Sequence, residues 1–188
     1  MREPVSAAAL VASAVACAAV GLACHRSPPG PDVPALLAQL KSADPEVRGK
    51  ASLALIPVGE PAVPGLIEML KSAEPQQRAT AASTLFGMGP RARAAVPALA
   101  DALSDPDREM RMSAAMALES IGPDAAPAVL ALVRALKDPE GLVRQRAAIA
   151  LGSIGPGARE ALPALREASR VDIVRPAAEE AIQRIQAR

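Results

Sequence analysis

The sequence predicts an all-α fold, an α-solenoid of about five stacked helix pairs. One pattern recurs five times from residue 33 to the C-terminus, with a period of 30 and then 33 residues, and a fixed period of this length is typical of a solenoid. Apolar residues inside each copy follow the spacing of a helix face. The chain has one Phe and neither Trp nor Tyr. This composition favours closely stacked helices over one thick core, because aromatic side chains usually dominate such cores.

The first helix of each unit is predicted from its opening residues. The units are 33–62, 63–95, 96–128, 129–161 and 162–188. In the third unit, Val96, Leu99 and Leu103 have the spacing i, i+3, i+7 of one helix face. A proline follows the opening residue in four of the five units, at Pro34, Pro64, Pro97 and Pro163. Proline fits a first helical turn, where its missing N–H is not needed.

A short turn with an acid beside a proline separates the two helices of a unit. It is found at Asp44-Pro45, Glu74-Pro75, Asp105-Pro106 and Asp138-Pro139. An acid at this place can accept bonds from free N–H groups at the start of the next helix and meet its positive dipole end. We therefore expect these acids to cap the second helices.

The second helix is predicted from columns counted from one arginine, which recurs at Arg48, Arg78, Arg111, Arg144 and Arg175. In the first four units alanine lies three residues after it, leucine seven after it, and an aliphatic residue or Met ten after it. These positions share one helix face and predict the core. Glycine lies eleven after the arginine, at Gly59, Gly89, Gly122 and Gly155. It predicts the end of each second helix, because glycine enters the left-handed region without penalty.

The first and last units are irregular. Pro57 is expected to interrupt the second helix of the first unit one turn early. The fifth unit has a turn two residues shorter and lacks the final glycine. Atypical end units are typical of a solenoid, which must close its exposed apolar ends.

The residues before the repeats predict export. Residues 4–24 are almost wholly small and apolar, after charges at Arg2 and Glu3, as in a signal peptide. The stretch 20–24, VGLAC, is similar to the lipobox of bacterial lipoproteins. That resemblance implies cleavage before Cys24 and lipid attached to its sulfur. We expect a signal peptide at 1–23 and a proline-rich tether at 24–32. Processing at Cys17, an ordinary signal peptide and an uncleaved anchor are the alternatives.

The repeat itself carries a family resemblance. The stretch DPEGLVRQRAAIALGSIGP, residues 138–156, resembles a HEAT repeat of the short type also found in phycobilin lyases. The resemblance implies a right-handed stack of helix pairs whose second helices line the concave side, a surface that usually binds another protein. The first two units depart from the family pattern, because their turn acid lies four residues before the arginine instead of six.

The arginine column has two interpretations. In HEAT repeats an arginine at this place commonly bonds to the turn acid and forms a ladder between neighbours. The pairs Asp105/Arg111 and Asp138/Arg144 have the family spacing for it. The other interpretation is a contact with an anion or an acidic peptide. The altered spacing in the first two units predicts that Arg48 and Arg78 are the freer pair.

Other candidate binding residues lie beside the arginines. The position two residues after the arginine varies among units, at Lys50, Thr80, Ser113 and Arg146, and points away from the predicted core. Variation of this kind is expected of a recognition surface and equally of an unconstrained solvent face. Met112 is a further candidate, since a flexible apolar side chain suits a partner helix; packing between repeats is the alternative.

Composition and motifs disfavour catalysis and cofactor binding. The sequence suggests no metal site, no phosphate loop and no thiol nucleophile in the repeats, and its single His lies at position 25. The formal net charge of +1 gives no general case for nucleic acid. We expect a non-enzymatic protein or peptide binding module without cofactors, tethered to a membrane and facing the periplasm or cell surface. The alternative is a cytoplasmic protein that binds anions or nucleic acid through a concave arginine row.

Overall fold

The computed structural model describes residues 31–171 and 173–187. Cys24, Cys17, the expected signal peptide and most of the expected tether lie outside these residues. The described chain is built from α-helices and short 3₁₀ segments, and it contains no β-strand. Its helices alternate between short and long: α1 Val33–Gln39, α2 Pro45–Val58, α3 Val63–Leu70, α4 Pro75–Met88, α5 Val96–Ala102, α6 Arg108–Ile121, α7 Val129–Ala135, α8 Gly141–Ile154, α9 Leu162–Ala168 and α10 Arg175–Gln186.

The short first helices begin at the apolar residue that opens each unit. Proline occupies the first or second helical position in α1, α3, α5 and α9, as the sequence predicts. The opening residues Val63, Val96 and Val129 are buried. The leucine three residues later is fully buried in the last four units, so the first helices turn the predicted face inward.

The capping prediction is confirmed at one acid, Asp44, and wrong at the other three. Asp44 caps α2, since its Oδ1 accepts a bond from the Glu46 N–H at 2.8 Å. Glu74 occupies the cap position of α4, but its side chain makes no cap bond. Asp105 and Asp138 lie two residues upstream of the cap positions Asp107 and Glu140, because they precede the column arginine by six residues instead of four. Their carboxylates instead accept backbone N–H groups within the turn.

The long second helices bury the predicted columns. Ala81, Leu85 and Met88 of α4 are buried, and so are the equivalent residues of α6 and α8. Each of α2, α4, α6 and α8 has 14 residues and ends at the predicted glycine. The four glycines have φ between 58° and 73°, a conformation that side chains with a Cβ adopt at a cost.

Pro57 does not shorten α2, contrary to the sequence prediction. The helix continues through Pro57 to Val58 and has the same length as the other second helices. Pro57 lies in the last turn and is exposed to solvent. Its ring removes one N–H from the helix ladder, but only at the end of the helix, where little of the helix depends on it.

Short 3₁₀ segments connect the units and were not predicted. They run from Glu60–Ala62, Gly89–Ala95, Gly122–Ala128 and Gly155–Ala161. One helical run within the described residues, Arg108–Ala135, is long and apolar enough to cross a membrane by length and composition. Half of an 18-residue apolar stretch within it is buried inside the fold, and the 3₁₀ segment Gly122–Ala128 separates α6 from α7. It is therefore core of the third and fourth units.

The units stack through their second helices. Neighbouring second helices pack against each other along much of their length, whereas neighbouring first helices touch at few points. This asymmetry brings the second helices to the inner side of the array, as in other solenoids. We call the side chains that the second helices expose there the inner face; it includes Lys50, Leu53, Thr80, Ser83, Ser113, Met116, Leu142, Arg146 and Ile149.

Candidate binding surface

The column arginines are anchored to the turns of their own units. In each of the first four units, Nη1 donates to two consecutive turn carbonyls. Arg111 Nη1 donates to Asp105 O at 3.0 Å and to Pro106 O at 3.2 Å. The same pair of bonds holds Arg48, Arg78 and Arg144 at their own turns. The guanidinium group therefore has a fixed position, and it satisfies carbonyls that a turn would otherwise leave without a donor.

Two arginines also bind the turn acid of the next unit. Arg111 donates from Nε to Asp138 Oδ2 at 2.7 Å and from Nη2 to Asp138 Oδ1 at 3.0 Å. Arg78 donates from Nη2 to Asp105 Oδ1 at 3.2 Å. Its Nε lies 3.0 Å from Asp105 Oδ2 in an ion pair that lacks hydrogen-bond geometry. Both arginine side chains are only 13% exposed. These contacts form the ladder that the family resemblance implies.

The ladder differs from the predicted one in its partners. The spacing of six residues suggested that Asp105 serves Arg111, whereas the carboxylate of Asp105 binds Arg78 of the preceding unit. The prediction that Arg78 is one of the freer arginines is therefore wrong. Arg48 and Arg144 are the two column arginines of the first four units for which the described residues supply no carboxylate partner.

The pair of Arg111 and Asp138 shifts the pKa of both groups. Burial alone would raise the pKa of the Asp138 carboxyl, but the bonds donated by Arg111 and by the Glu140 N–H outweigh it. The pKa of Asp138 therefore lies below its ordinary value. The hydrogen bond to Asp138 raises the pKa of Arg111 further above its already high value, against the effect of burial.

The variable column beside the arginines lies on the inner face. Lys50 is exposed, while Thr80, Ser113 and Arg146 are half-buried. Thr80 Oγ1 donates to Gln76 O within its own helix at 2.8 Å. Arg146 Nη1 lies 3.6 Å from Glu119 Oε2 on the neighbouring second helix. Glu119 thus partly neutralises the charge of Arg146.

The chain is matched over most of its repeats by one family model. The model, described as HEAT repeats, matches residues 63–131 and 127–183. This chain is a HEAT-repeat protein. The first unit lies before the matched ranges, in keeping with its irregular spacing. No curated protein matches the HEAT-repeat protein.

Solved structures share the fold of this HEAT-repeat protein. One is the complex of CpcE and CpcF of phycocyanin lyase from Nostoc sp. PCC7120, with a TM-score of 0.65, 25% identity and coverage of 79% of this chain and 96% of that chain. An engineered protein has a TM-score of 0.61, 26% identity and coverage of 82% and 79%. A designed armadillo repeat protein in complex with the peptide (KR)4 has a TM-score of 0.62, 19% identity and coverage of 80% of both chains.

Exposed leucines on the second helices of the HEAT-repeat protein were not singled out from the sequence. Leu53 is 71% exposed and Leu142 is 57% exposed. Leu142 borders a small cavity of about 90 Å³ together with Met112, Val143 and Glu109. Met112 thus lies half-buried beside an exposed apolar side chain. A large apolar side chain left in water is a candidate contact for a partner.

The described part of the HEAT-repeat protein offers no group of three or more His, Cys, Asp or Glu side chains that could hold a metal ion. Folds of this type commonly serve as scaffolds for protein interactions and are typically not catalytic. The inner face and the arginine ladder are therefore the features on which a functional interpretation depends.

Proposed function

We propose that the HEAT-repeat protein is a non-catalytic protein-interaction module or scaffold, exported and held at a membrane by a lipidated Cys24. It would face the periplasm or the cell surface. The observation that carries the interaction function is the inner face, where rigid second helices expose apolar side chains beside polar ones. A partner would bind by covering this face.

The inner face has the composition of a binding surface. Leu53 and Leu142 offer apolar area that water covers in the free protein, and its burial would stabilise a complex. Lys50 and Ser83 are exposed on the same face. At the rim of an interface the Lys50 ammonium can donate hydrogen bonds, and the Ser83 hydroxyl can donate or accept them. The arginine ladder fixes the turns, so the surface is held in one shape before the partner arrives, which lowers the entropy cost of binding.

The structural neighbours support a protein partner. In the phycocyanin lyase structure, CpcE and CpcF form a complex, so a protein with this fold and 25% identity assembles with another protein. We extend only the assembly to this chain and not the lyase activity, because a fold alone does not imply a chemical function.

The alternative of an anion or nucleic-acid binding arginine row has less support. Arg78 and Arg111 already bind carboxylates and are largely covered. A protein that binds a phosphate backbone needs several free cations on one face. Of the column arginines in the first four units, Arg48 and Arg144 have no carboxylate partner among the described residues, and their units are not adjacent.

The membrane tether depends on the sequence alone and has its own test. Mass spectrometry of the protein purified from its membrane should find a mature N-terminus at a Cys24 that carries lipid. The variant Cys24→Ser should lack the lipid and leave the membrane fraction. An unmodified Cys24 in the mature protein would contradict the proposed lipid anchor.

A photo-crosslinking experiment tests the interaction function. A photoreactive amino acid replaces Ser83, which is exposed on the inner face, or Glu68, which is exposed on the first helix α3 of the same unit. We expect the probe at position 83 to capture a discrete protein in cells that make the chain, and the probe at position 68 to capture none. Equal capture from both positions, or none from either, would contradict the proposal.

A further inference from the structure

The rungs of the arginine ladder can be compared directly, because they are built from equivalent positions. Each rung joins the arginine of one unit to the residue that lies six positions before the arginine of the next unit. At two rungs that residue is Asp105 or Asp138, whose carboxylate lies against Nε and Nη2 of the arginine. At the rung between the first and second units it is Ser72. We call Arg48 and Ser72 the incomplete rung.

Ser72 has the same place in its turn as the two aspartates. Its Oγ accepts a bond from the N–H two residues later, at Glu74, at 3.2 Å. Asp105 and Asp138 accept the equivalent bond from the N–H two residues after them, at 2.8 Å and 2.9 Å. The backbone therefore follows the same course, and the incomplete rung lacks only a carboxylate.

Arg48 is oriented as the other column arginines are. Its Nη1 donates to Ser42 O at 2.8 Å and to Ala43 O at 2.7 Å. Arg111 makes the equivalent two bonds with its Nη1. Its Nε and Nη2 therefore remain available, and together they form a fork that donates two parallel bonds to the carboxylate of Asp138. For the same fork of Arg48 the described residues supply no acceptor. The Arg48 donors Nε and Nη2 are thus held in place without an acceptor among the described residues.

An open cavity lies beside Arg48. Its volume is about 340 Å³, and its lining includes Lys41, Glu74, Gln76 and Gln77. Lys41 and Arg48 contribute two positive charges and Glu74 one negative charge, so the ionised side chains at the cavity have a net charge of +1. A cavity of this size admits the end of an acidic side chain from outside.

We propose that the incomplete rung is a binding site for one carboxylate side chain, Asp or Glu, of a partner protein. The carboxylate would lie at Nε and Nη2 of Arg48, where Asp105 and Asp138 lie at the other rungs. This inference rests on the proposed interaction function, since the ligand is a side chain of the partner. It adds the chemistry that the partner must present at the first unit.

A single carboxylate fits the site better than a more highly charged group. The guanidinium fork makes two parallel bonds to the two oxygens of a carboxylate. Glu74 at the cavity would repel a second negative charge. The rung at Arg144 is a poorer candidate, because Asp138 lies close enough for the charge of Arg144 to lower its pKa. Ser169 at that rung bonds instead to Arg166 O at 2.9 Å.

The inference is tested by nuclear magnetic resonance on the intact ¹⁵N-labelled chain. The probe is the blocked peptide acetyl-Ala-Ala-Glu-Ala-Ala-amide, and its Gln counterpart is the control ligand. We expect the Glu peptide to shift the Arg48 Nε–Hε signal in a saturable manner. The Gln peptide should bind roughly tenfold more weakly, because charged hydrogen bonds are stronger than neutral ones. Equal affinity for the two peptides would overturn the proposal.

The variant Ser72→Asp supplies the carboxylate from inside the chain. It should shift the Arg48 signal without peptide and raise the thermal unfolding midpoint. Because its carboxylate competes for Arg48, it should also lower the affinity for the Glu peptide roughly tenfold. The matched control is Ser104→Asp, which adds the same charge at an exposed turn residue outside the rungs. It should change peptide affinity by less than about twofold. Unchanged binding in S72D would overturn the proposal.

A second variant keeps the test independent of whether S72D folds. Arg48→Lys retains the positive charge and removes the two parallel donors, so it should also lower the affinity for the Glu peptide roughly tenfold. Wild-type affinity in R48K would contradict a forked carboxylate site. The titration needs no natural partner. If the chain binds the Glu peptide but crosslinks to no protein, the carboxylate site is supported and the proposed function is refuted. If position 83 crosslinks to a protein but the Glu peptide does not bind, the interaction function is supported and the carboxylate site is refuted.

Discussion

Arg111 of the third unit and Asp138 of the fourth unit join their units through two parallel hydrogen bonds, of 2.7 Å and 3.0 Å. The same arginine donates to two carbonyls of its own turn, and the same aspartate accepts the Glu140 N–H. Two turns from neighbouring units are thus connected through one pair of side chains. This connection therefore adds to the direct packing of α6 against α8.

Replacing Asp138 with Asn should destabilise the protein by about 2 kcal/mol, since Arg111 would then be left partly buried without its charged acceptor. Chemical denaturation followed by circular dichroism measures the change. The matched control is Glu140→Gln, at an exposed acid whose side chain makes no cap bond. It should change stability by less than about 0.5 kcal/mol. Equal effects of the two variants would show that the ion pair contributes nothing.

The same pair predicts a loss of stability in acid. The pKa of Asp138 is lowered in the folded protein. Its contribution is therefore fully present above the unfolded pKa of about 4, and it is lost as the pH falls through the lower folded pKa. Arg111 titrates far above this range and stays charged. Unfolding free energies measured between pH 6 and pH 2 should converge for the wild type and D138N. A constant difference across that range would refute the linkage.

Much of the fold could be predicted because the sequence signals that define each unit are local. The apolar columns, the proline after the opening residue and the glycine at the end each act within one helix. The partners of the ladder could not be predicted in this way. Asp105 is six residues from Arg111 in the sequence but binds Arg78, because the offset between stacked units decides which arginine reaches the turn.

The exposed leucines of the inner face could not be predicted from the sequence either. Leu53 and Met116 occupy the same column, yet Leu53 is exposed and Met116 is half-buried. Burial at this column depends on the neighbouring unit, and a local pattern carries no information about it.

The glycines that end the second helices should not tolerate a side chain. Gly122 has a φ of 73°, and the nearest atom to an added Cβ is 3.9 Å away. Gly122→Ala should therefore cost about 1–3 kcal/mol through backbone strain alone. Gly49 lies inside α2 with no atom within 4 Å of an added Cβ, so Gly49→Ala should stabilise the protein by about 0.5–1 kcal/mol. Thermal unfolding of the two variants should move in opposite directions. A neutral G122A would contradict the assigned backbone conformation.

The proposed interaction function is tested most directly by the affinity of the crosslinked partner for inner-face variants. The double variant Leu53→Asp with Leu142→Asp places charge on the inner face, and Leu130→Asp is the matched control. Leu130 is 61% exposed but lies on the first helix α7. All variants should keep the helical circular dichroism of the wild type. We expect the double variant to bind the partner at least roughly tenfold more weakly, and L130D to bind it as the wild type does. Wild-type affinity in the double variant, or an equal loss in L130D, would contradict the account.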